Sequence, residues 1–178
     1  MDEFARCFAF TLSAEGGFTN NKHDPGNWTG GAVGRGQLRG TKFGISAAAY
    51  PDLDIQNLSE AAAENIYRRD YFRPLHGDEL PLPVAMVAFD AAVNVGVHRS
   101  VVWLQQAAGQ VTDGVLGPKT LAAIQAADPV TLAHEALAQR ITFYAGLADW
   151  PEFGLGWVRR VIRLAGEISQ QETKHEGT

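Results

Sequence analysis

The sequence predicts a mainly α-helical protein, and three observations carry that reading. After Pro51, apolar residues recur at helical rather than alternating spacing. Capping and breaking residues stand at the ends of those segments. Strand signals are weak throughout. With 178 residues, 46% of them hydrophobic, the chain can bury the core of one domain, or of one domain with a small second lobe.

The first helix is expected over residues 3–15, with Phe4, Cys7, Phe8 and Leu12 on one face and Gly16-Gly17 as its stop. Residues 16–44 are rich in Gly, Asn and Thr and lack a periodic run. They read as a long loop, with a short hairpin around "VGRGQLRGTKFGI". A loop of that length in a compact domain is functional or mobile. Its glycines suit close approach to a ligand, and plain flexibility is the rival reading.

Ser59 caps a helix over "EAAAENIYRRDYF", with Glu60 in its first turn. Pro83 suits the first turn of "VAMVAFDAAVNVG", which Gly96 ends. "RSVVWLQQAAG" is closed by Gly109, and Pro118 and Pro129 open the next two helices. The last helix, "GLGWVRRVIRLAGEIS", is expected to carry Trp157, Val161, Ile162 and Ala165 on one face. The polar tail "QQETKHEGT" should fray. This makes about seven helices by the count of caps and breakers.

A net charge of −5 and a pI near 5.5 argue against nucleic acid as partner, because phosphate neutralisation needs a basic footprint. The single cysteine, Cys7, sits among apolar neighbours and is expected to be buried and inert. No apolar run is long enough to insert in a membrane. The opening "MDEFAR" lacks a basic region, so no secretory signal is visible. The five histidines show no metal-ligand spacing, and neither a metal site nor a cofactor is expected. Nucleotide-binding loops and the serine-hydrolase elbow are missing too.

Glu15 is the first candidate for chemistry. At the C-terminal end of a helix, partial negative charge disfavours its ionised form, and apolar neighbours push the same way. A glutamic acid kept protonated near neutral pH can protonate a glycosidic oxygen. A solvated, inert helix-end glutamate is the alternative. Asp24, in "HDPGN", either starts an Asp-Pro turn or supplies the second carboxylate that a glycosidase uses. Thr41 either holds a water or satisfies a turn. Asp90 and Asn94 share a face of an apolar helix. They form either a structural network or, through Asn94, part of a groove wall. Trp150, Phe153 and Trp157 suit core packing or sugar stacking. The run Arg159, Arg160 and Arg163 reads as a solvated helix face, with a local offset to the acidic net charge as the alternative.

Taken together, "EGGFTNNKHDPGNWTGG…GTKFGIS" resembles the N-terminal motif of the glycoside hydrolase 108 lysozymes, N-acetylmuramidases of phages, prophages and bacteria. The matching positions are Glu15, Gly16, Gly17, Phe18, Asn20, Asp24, Pro25, Gly26, Thr41, Gly44 and Ile45. The stretch from Gly26 to Thr41 is longer than in the shortest family members. "FDAAVNVGVHRSVVWLQQAAG…TDGVLGPKTLAAI" resembles the family's C-terminal, peptidoglycan-binding half. The resemblance spans roughly residues 5–165.

It implies an all-α, lysozyme-like fold in two lobes. Residues 1–80 would form the catalytic lobe, 81–170 the peptidoglycan-binding lobe and 171–178 a flexible tail. It implies a lysozyme that cleaves the β-1,4 bond between N-acetylmuramic acid and N-acetylglucosamine, with Glu15 as general acid. Asp24 and Thr41 would assist, and Phe18, Asn20, Phe43, Tyr71 and Asn94 would bind the glycan. An inactive binding or secretion-assisting module and a lytic transglycosylase are the alternatives. The expected partner is peptidoglycan, met by a monomer. The expected itinerary is synthesis in the cytoplasm, then action in the periplasm or wall after holin-dependent or dedicated export.

Overall fold

The computed structural model describes residues 2–12 and 17–175, with side chains as far as residue 170. Among these residues are seven α-helices and one two-stranded sheet, the mainly α fold expected. The chain divides into two compact units: residues 8–68, and residues 1–7 together with 69–178. The division falls inside α1 (Glu3–Leu12), after Cys7.

In the unit of residues 8–68, little is regular. A 3-10 turn, Pro25–Asn27, is followed by β1 (Thr41–Lys42) and β2 (Ile45–Ser46), which pair antiparallel. The hairpin is shorter and later than the stretch from Val33 that the sequence suggests. Its loop is Phe43-Gly44, with φ of 51° and 71°. Positive φ at both central residues is the tight turn whose twist matches a hairpin; glycine adopts it freely and phenylalanine does not. Phe43 is held there by its carbonyl, which accepts from the Tyr67 hydroxyl at 2.9 Å. Tyr67 ends α2 (Glu60–Tyr67), whose cap is Ser59: the hydroxyl accepts from the Ala62 N–H at 3.2 Å. The expected continuation to Phe72 is a π-helical turn, Arg68–Phe72.

The other unit is a helical core built around α3 (Leu82–Val95). Residues 84–92 of α3 are all buried, as fits a helix apolar on every side. It packs against α4 (Val97–Ala107), α6 (Pro129–Ala145) and α7 (Trp150–His175). Pro83 lies in its first turn and Gly96, at φ 91°, ends it. The Ser100 hydroxyl donates to the Ala88 carbonyl at 2.7 Å and ties α4 to α3. Phe4, Phe72 and Phe89 meet edge to face, with centroids 5.1 to 5.9 Å apart. Pro118 opens α5 (Pro118–Ala126), and Asp128 caps α6 by accepting from the Thr131 N–H at 2.8 Å.

Three expectations need correction here. Asp90 is fully buried, with Arg140 Nη1 and Arg160 Nη2 each 2.6 Å from its carboxylate. Arg160 is therefore a partly buried charge partner, its side chain 22% exposed, while its neighbour Arg159 is solvent-exposed. Asn94 is exposed and donates to the Asp90 carbonyl of its own helix at 2.6 Å, outside any core network. Ile162 is 62% exposed, and Val161, Leu164 and Ile168 form the buried stripe of α7 instead. That helix starts at Trp150 and its backbone continues to His175, into the polar tail. Trp157 packs on Tyr144 with centroids 4.9 Å apart, while Phe153 at the same cluster is exposed.

Candidate active site

The glycine-rich segment after residue 16 owes its shape to Asn27. This side chain is fully buried, in a stretch whose described residues are mostly exposed. Its Oδ1 accepts from the Thr41 hydroxyl at 2.7 Å, and its Nδ2 donates to the Asn21 carbonyl at 3.0 Å. Its own carbonyl accepts from the N–H groups of Arg39 and Gly40, both at 3.0 Å. Its N–H donates to the Asp24 carbonyl at 3.2 Å, so that one residue ties residues 21, 24 and 39–41 together through five hydrogen bonds. A buried amide pays for its desolvation only when such bonds are made.

Asp24 caps the 3-10 turn. Its Oδ1 accepts from the Gly26 N–H at 2.8 Å, as the turn reading of Asp-Pro requires. The residue is exposed, and Oδ2 makes no hydrogen bond among the described residues. Thr41 exchanges both backbone hydrogen bonds with Thr19, at 2.9 and 2.8 Å. With its hydroxyl proton given to Asn27, the oxygen's lone pairs are what it can offer a water.

Beside this framework lies a groove of about 390 Å³, lined by Phe18, Asn20, Leu38, Arg39, Asp52, Asp54, Ile55 and Gln56. Phe18 is positioned by close approach to Gly40, at φ 83°; a Cβ there would stand 2.6 Å from the Phe18 ring and clash with the Thr19 carbonyl. Arg39 is oriented by the Gln37 side chain (2.9 Å) and the Pro51 carbonyl (3.0 Å). The carboxyl of Asp54 is held below the usual carboxylate range, first by the Asn57 side-chain amide at 2.9 Å and then by the Asn57 backbone N–H at 3.3 Å. The groove thus joins one aromatic face, two amides, one guanidinium and two carboxylates. Such a lining stacks on a sugar ring and hydrogen-bonds its hydroxyl and acetamido groups.

Of the residues expected from sequence, Phe18 and Asn20 line this groove together. Asp24, Thr41 and Phe43 belong to the same unit but are not among its lining residues. Tyr71, half-buried on the π-helical turn, and Asn94 belong to the other unit. Glu15 lies outside the described residues. Arg39, Asp52, Asp54 and Asn27 are absent from the sequence-based set. Two acids flanking Leu53 directly after Pro51 were the available signal for the groove pair. Nothing local marks Asn27 among several asparagines. No three His, Cys, Asp or Glu side chains converge as a metal site among the described residues.

Comparison with known proteins agrees with the order of these segments. Residues 8–96 match the family described as "Glycosyl hydrolase 108", and residues 99–162 match one described as "Predicted Peptidoglycan domain". Among solved structures, SagA of Brucella abortus is similar, with 30% identity, a TM-score of 0.78 and 94% of each chain covered. No curated protein matches.

Proposed function

The chain belongs to the glycosyl hydrolase 108 family and carries a peptidoglycan domain, and from that premise we propose that this glycosidase is a lysozyme cleaving the β-1,4 bond between N-acetylmuramic acid and N-acetylglucosamine. The observation that carries the reading is the groove of Phe18 and Asn20, which begins three residues after Glu15 in the chain and lies within the family match. Glu15 is the general acid that protonates the leaving oxygen. Asp24 offers Oδ2 to a water or to positive charge developing on the sugar, and Thr41 helps hold that water. Phe18 stacks on a sugar ring while Asn20 and Asp54 take its polar groups. Residues 1–80 do the chemistry and residues 81–170 retain the polymer. The enzyme works in the periplasm or wall, reached through a holin or a dedicated export route.

Product chemistry tests the proposal. Digested walls, reduced with borohydride and analysed by mass spectrometry, should carry new reducing-end N-acetylmuramic acid. Anhydromuramic ends would assign a lytic transglycosylase instead. New free amino groups without reducing ends would sink the glycosidase reading. Intact walls would leave a binding module.

A further inference from the structure

The two sugars of a peptidoglycan strand share one linkage and one acetamido group. They differ only at O3, where muramic acid carries a lactyl ether. An enzyme that cuts beside muramic acid alone has to read that group. In the groove of Phe18 and Asn20, part of the lining suits what the sugars have in common: the Phe18 ring takes a pyranose face, and the Asn20 and Gln56 amides take acetamido groups. The lactyl group presents an ether oxygen and a carbonyl oxygen, both acceptors. Ionised Asp52 and Asp54 accept and cannot donate to it. Arg39, the cation of the lining, donates and never accepts.

Arg39 is exposed, yet it is fixed from three directions. Its N–H donates to the Asn27 carbonyl at 3.0 Å, its Nε to the Gln37 side chain at 2.9 Å and its Nη1 to the Pro51 carbonyl at 3.0 Å. A guanidinium carries five N–H groups, and these side-chain bonds use two of them. The other three have no acceptor among the described residues, and Arg39 makes no ion pair there, although Asp52 and Asp54 line the same groove. A planar fork held in advance loses little freedom when it binds, so its hydrogen bonds go into discrimination rather than into ordering.

We propose that Arg39 is the residue that tells muramic acid from glucosamine: its free N–H groups donate to the lactyl ether and carbonyl oxygens and so fix the register in which a strand lies along the groove. Muramic acid, rather than glucosamine, then stands on the anomeric side of the cut. The inference rests on the groove holding the glycan, as in the function proposed above, and adds the side chain that chooses the bond. A strand shifted by one sugar still stacks on Phe18 and still bonds to Asn20. It brings only an O3 hydroxyl to Arg39 and leaves the guanidinium without the lactyl carbonyl.

The test uses the isotope-labelled full chain and two soluble disaccharides that lack the bond to be cut. One is N-acetylglucosaminyl-β-1,4-N-acetylmuramic acid with its lactyl group capped as the L-alaninamide, and the other is chitobiose. The Asn20 side-chain amide should shift saturably with both, and the Arg39 Nε–H with the first alone. The muramic ligand should bind about tenfold more tightly than chitobiose, and Arg39→Met should remove that difference with chitobiose affinity unchanged. Arg39→Lys keeps the charge without the fork and should retain part of the difference. Walls digested by Arg39→Met should yield reducing-end N-acetylglucosamine beside N-acetylmuramic acid. A silent Arg39 Nε–H, equal shifts with both ligands, or an equal loss of both affinities in Arg39→Met would overturn the assignment, the last because it marks a mere brace for Gln37 and Pro51. The wild-type spectra depend on no variant folding. Wild-type release of reducing-end N-acetylmuramic acid with a silent Arg39 sinks only the Arg39 assignment. An Arg39 response to the muramic ligand, with no reducing ends released from walls, sinks only the glycosidase.

Discussion

Asp90 and Asn27 are both fully buried polar residues, and each organises its own unit in a different way. Asp90 sits in a helical core and pairs with two guanidiniums that approach from α6 and α7. The surrounding order comes from packed apolar side chains, and the charge is an addition to it. Asn27 sits in a loop with few buried apolar residues, and its five hydrogen bonds stand where a core would otherwise be. The lesson is that one unit is specified by side-chain burial and the other by satisfied backbone polarity. The candidate site is built on the second kind, where a hydrogen bond lost is geometry lost.

The largest expected effect is therefore on stability, at Asp90. Asp90→Ala strands the Arg140 charge in the core and removes the carboxylate that the partly exposed Arg160 meets, at a cost of about 3–5 kcal/mol. Urea unfolding measures it, and a loss under about 1 kcal/mol would mean the core does not feel the charges. At Asn27 the balance reverses. Asn27→Ala leaves the Thr41 hydroxyl and the Asn21 carbonyl unpaired and should cost about 1–3 kcal/mol. Wall clearing should fall further than the lost stability explains, since Thr41 and the neighbouring groove lose their brace. Melting curves and clearing rates on one preparation decide it; equal activity in a destabilised but folded variant would contradict the loop's role.

The smallest effect concerns the turn at Asp113, between α4 and α5. The Gln105 side chain, then the Val115 N–H, hold its carboxyl below the usual carboxylate range. A depressed value in the folded state means these bonds contribute stability above the ordinary aspartate range and lose it as pH falls through the folded value. The amide resonances of Gly114 and Val115 should therefore shift together only below about pH 4. Asp113→Asn should abolish that transition and leave the helices unchanged. A titration of the turn centred near neutrality would disprove their hold on it.

Much of the helical unit was legible in the sequence because its signals are local. Pro83, Gly96, Pro118 and Pro129 each act within a turn of where they stand, as Ser59 does in the other unit, and the structure uses each as read. Asp90 was recognisable as a polar residue needing a partner, but Arg140 and Arg160 lie 50 and 70 residues on, and no local pattern names them. Ile162 was misread because Trp157 and Val161 allow two neighbouring stripes, and packing chose the one through Leu164 and Ile168. In the loop, Phe18 and Asn20 were found through the motif they share with Glu15. Asn27 and Arg39 were missed because their roles depend on closures that bring residues 21, 39 and 41 to one residue. Such closure has no period to read.

The account turns on one carboxyl group, and Glu15→Gln tests it most directly. The amide keeps the volume and cannot deliver a proton. With circular dichroism and melting unchanged, the variant should lose about two to four decades of the rate at which new reducing-end N-acetylmuramic acid appears from purified walls. A folded Glu15→Gln variant that releases those ends at near the wild-type rate would contradict the assignment of Glu15 as the catalytic acid.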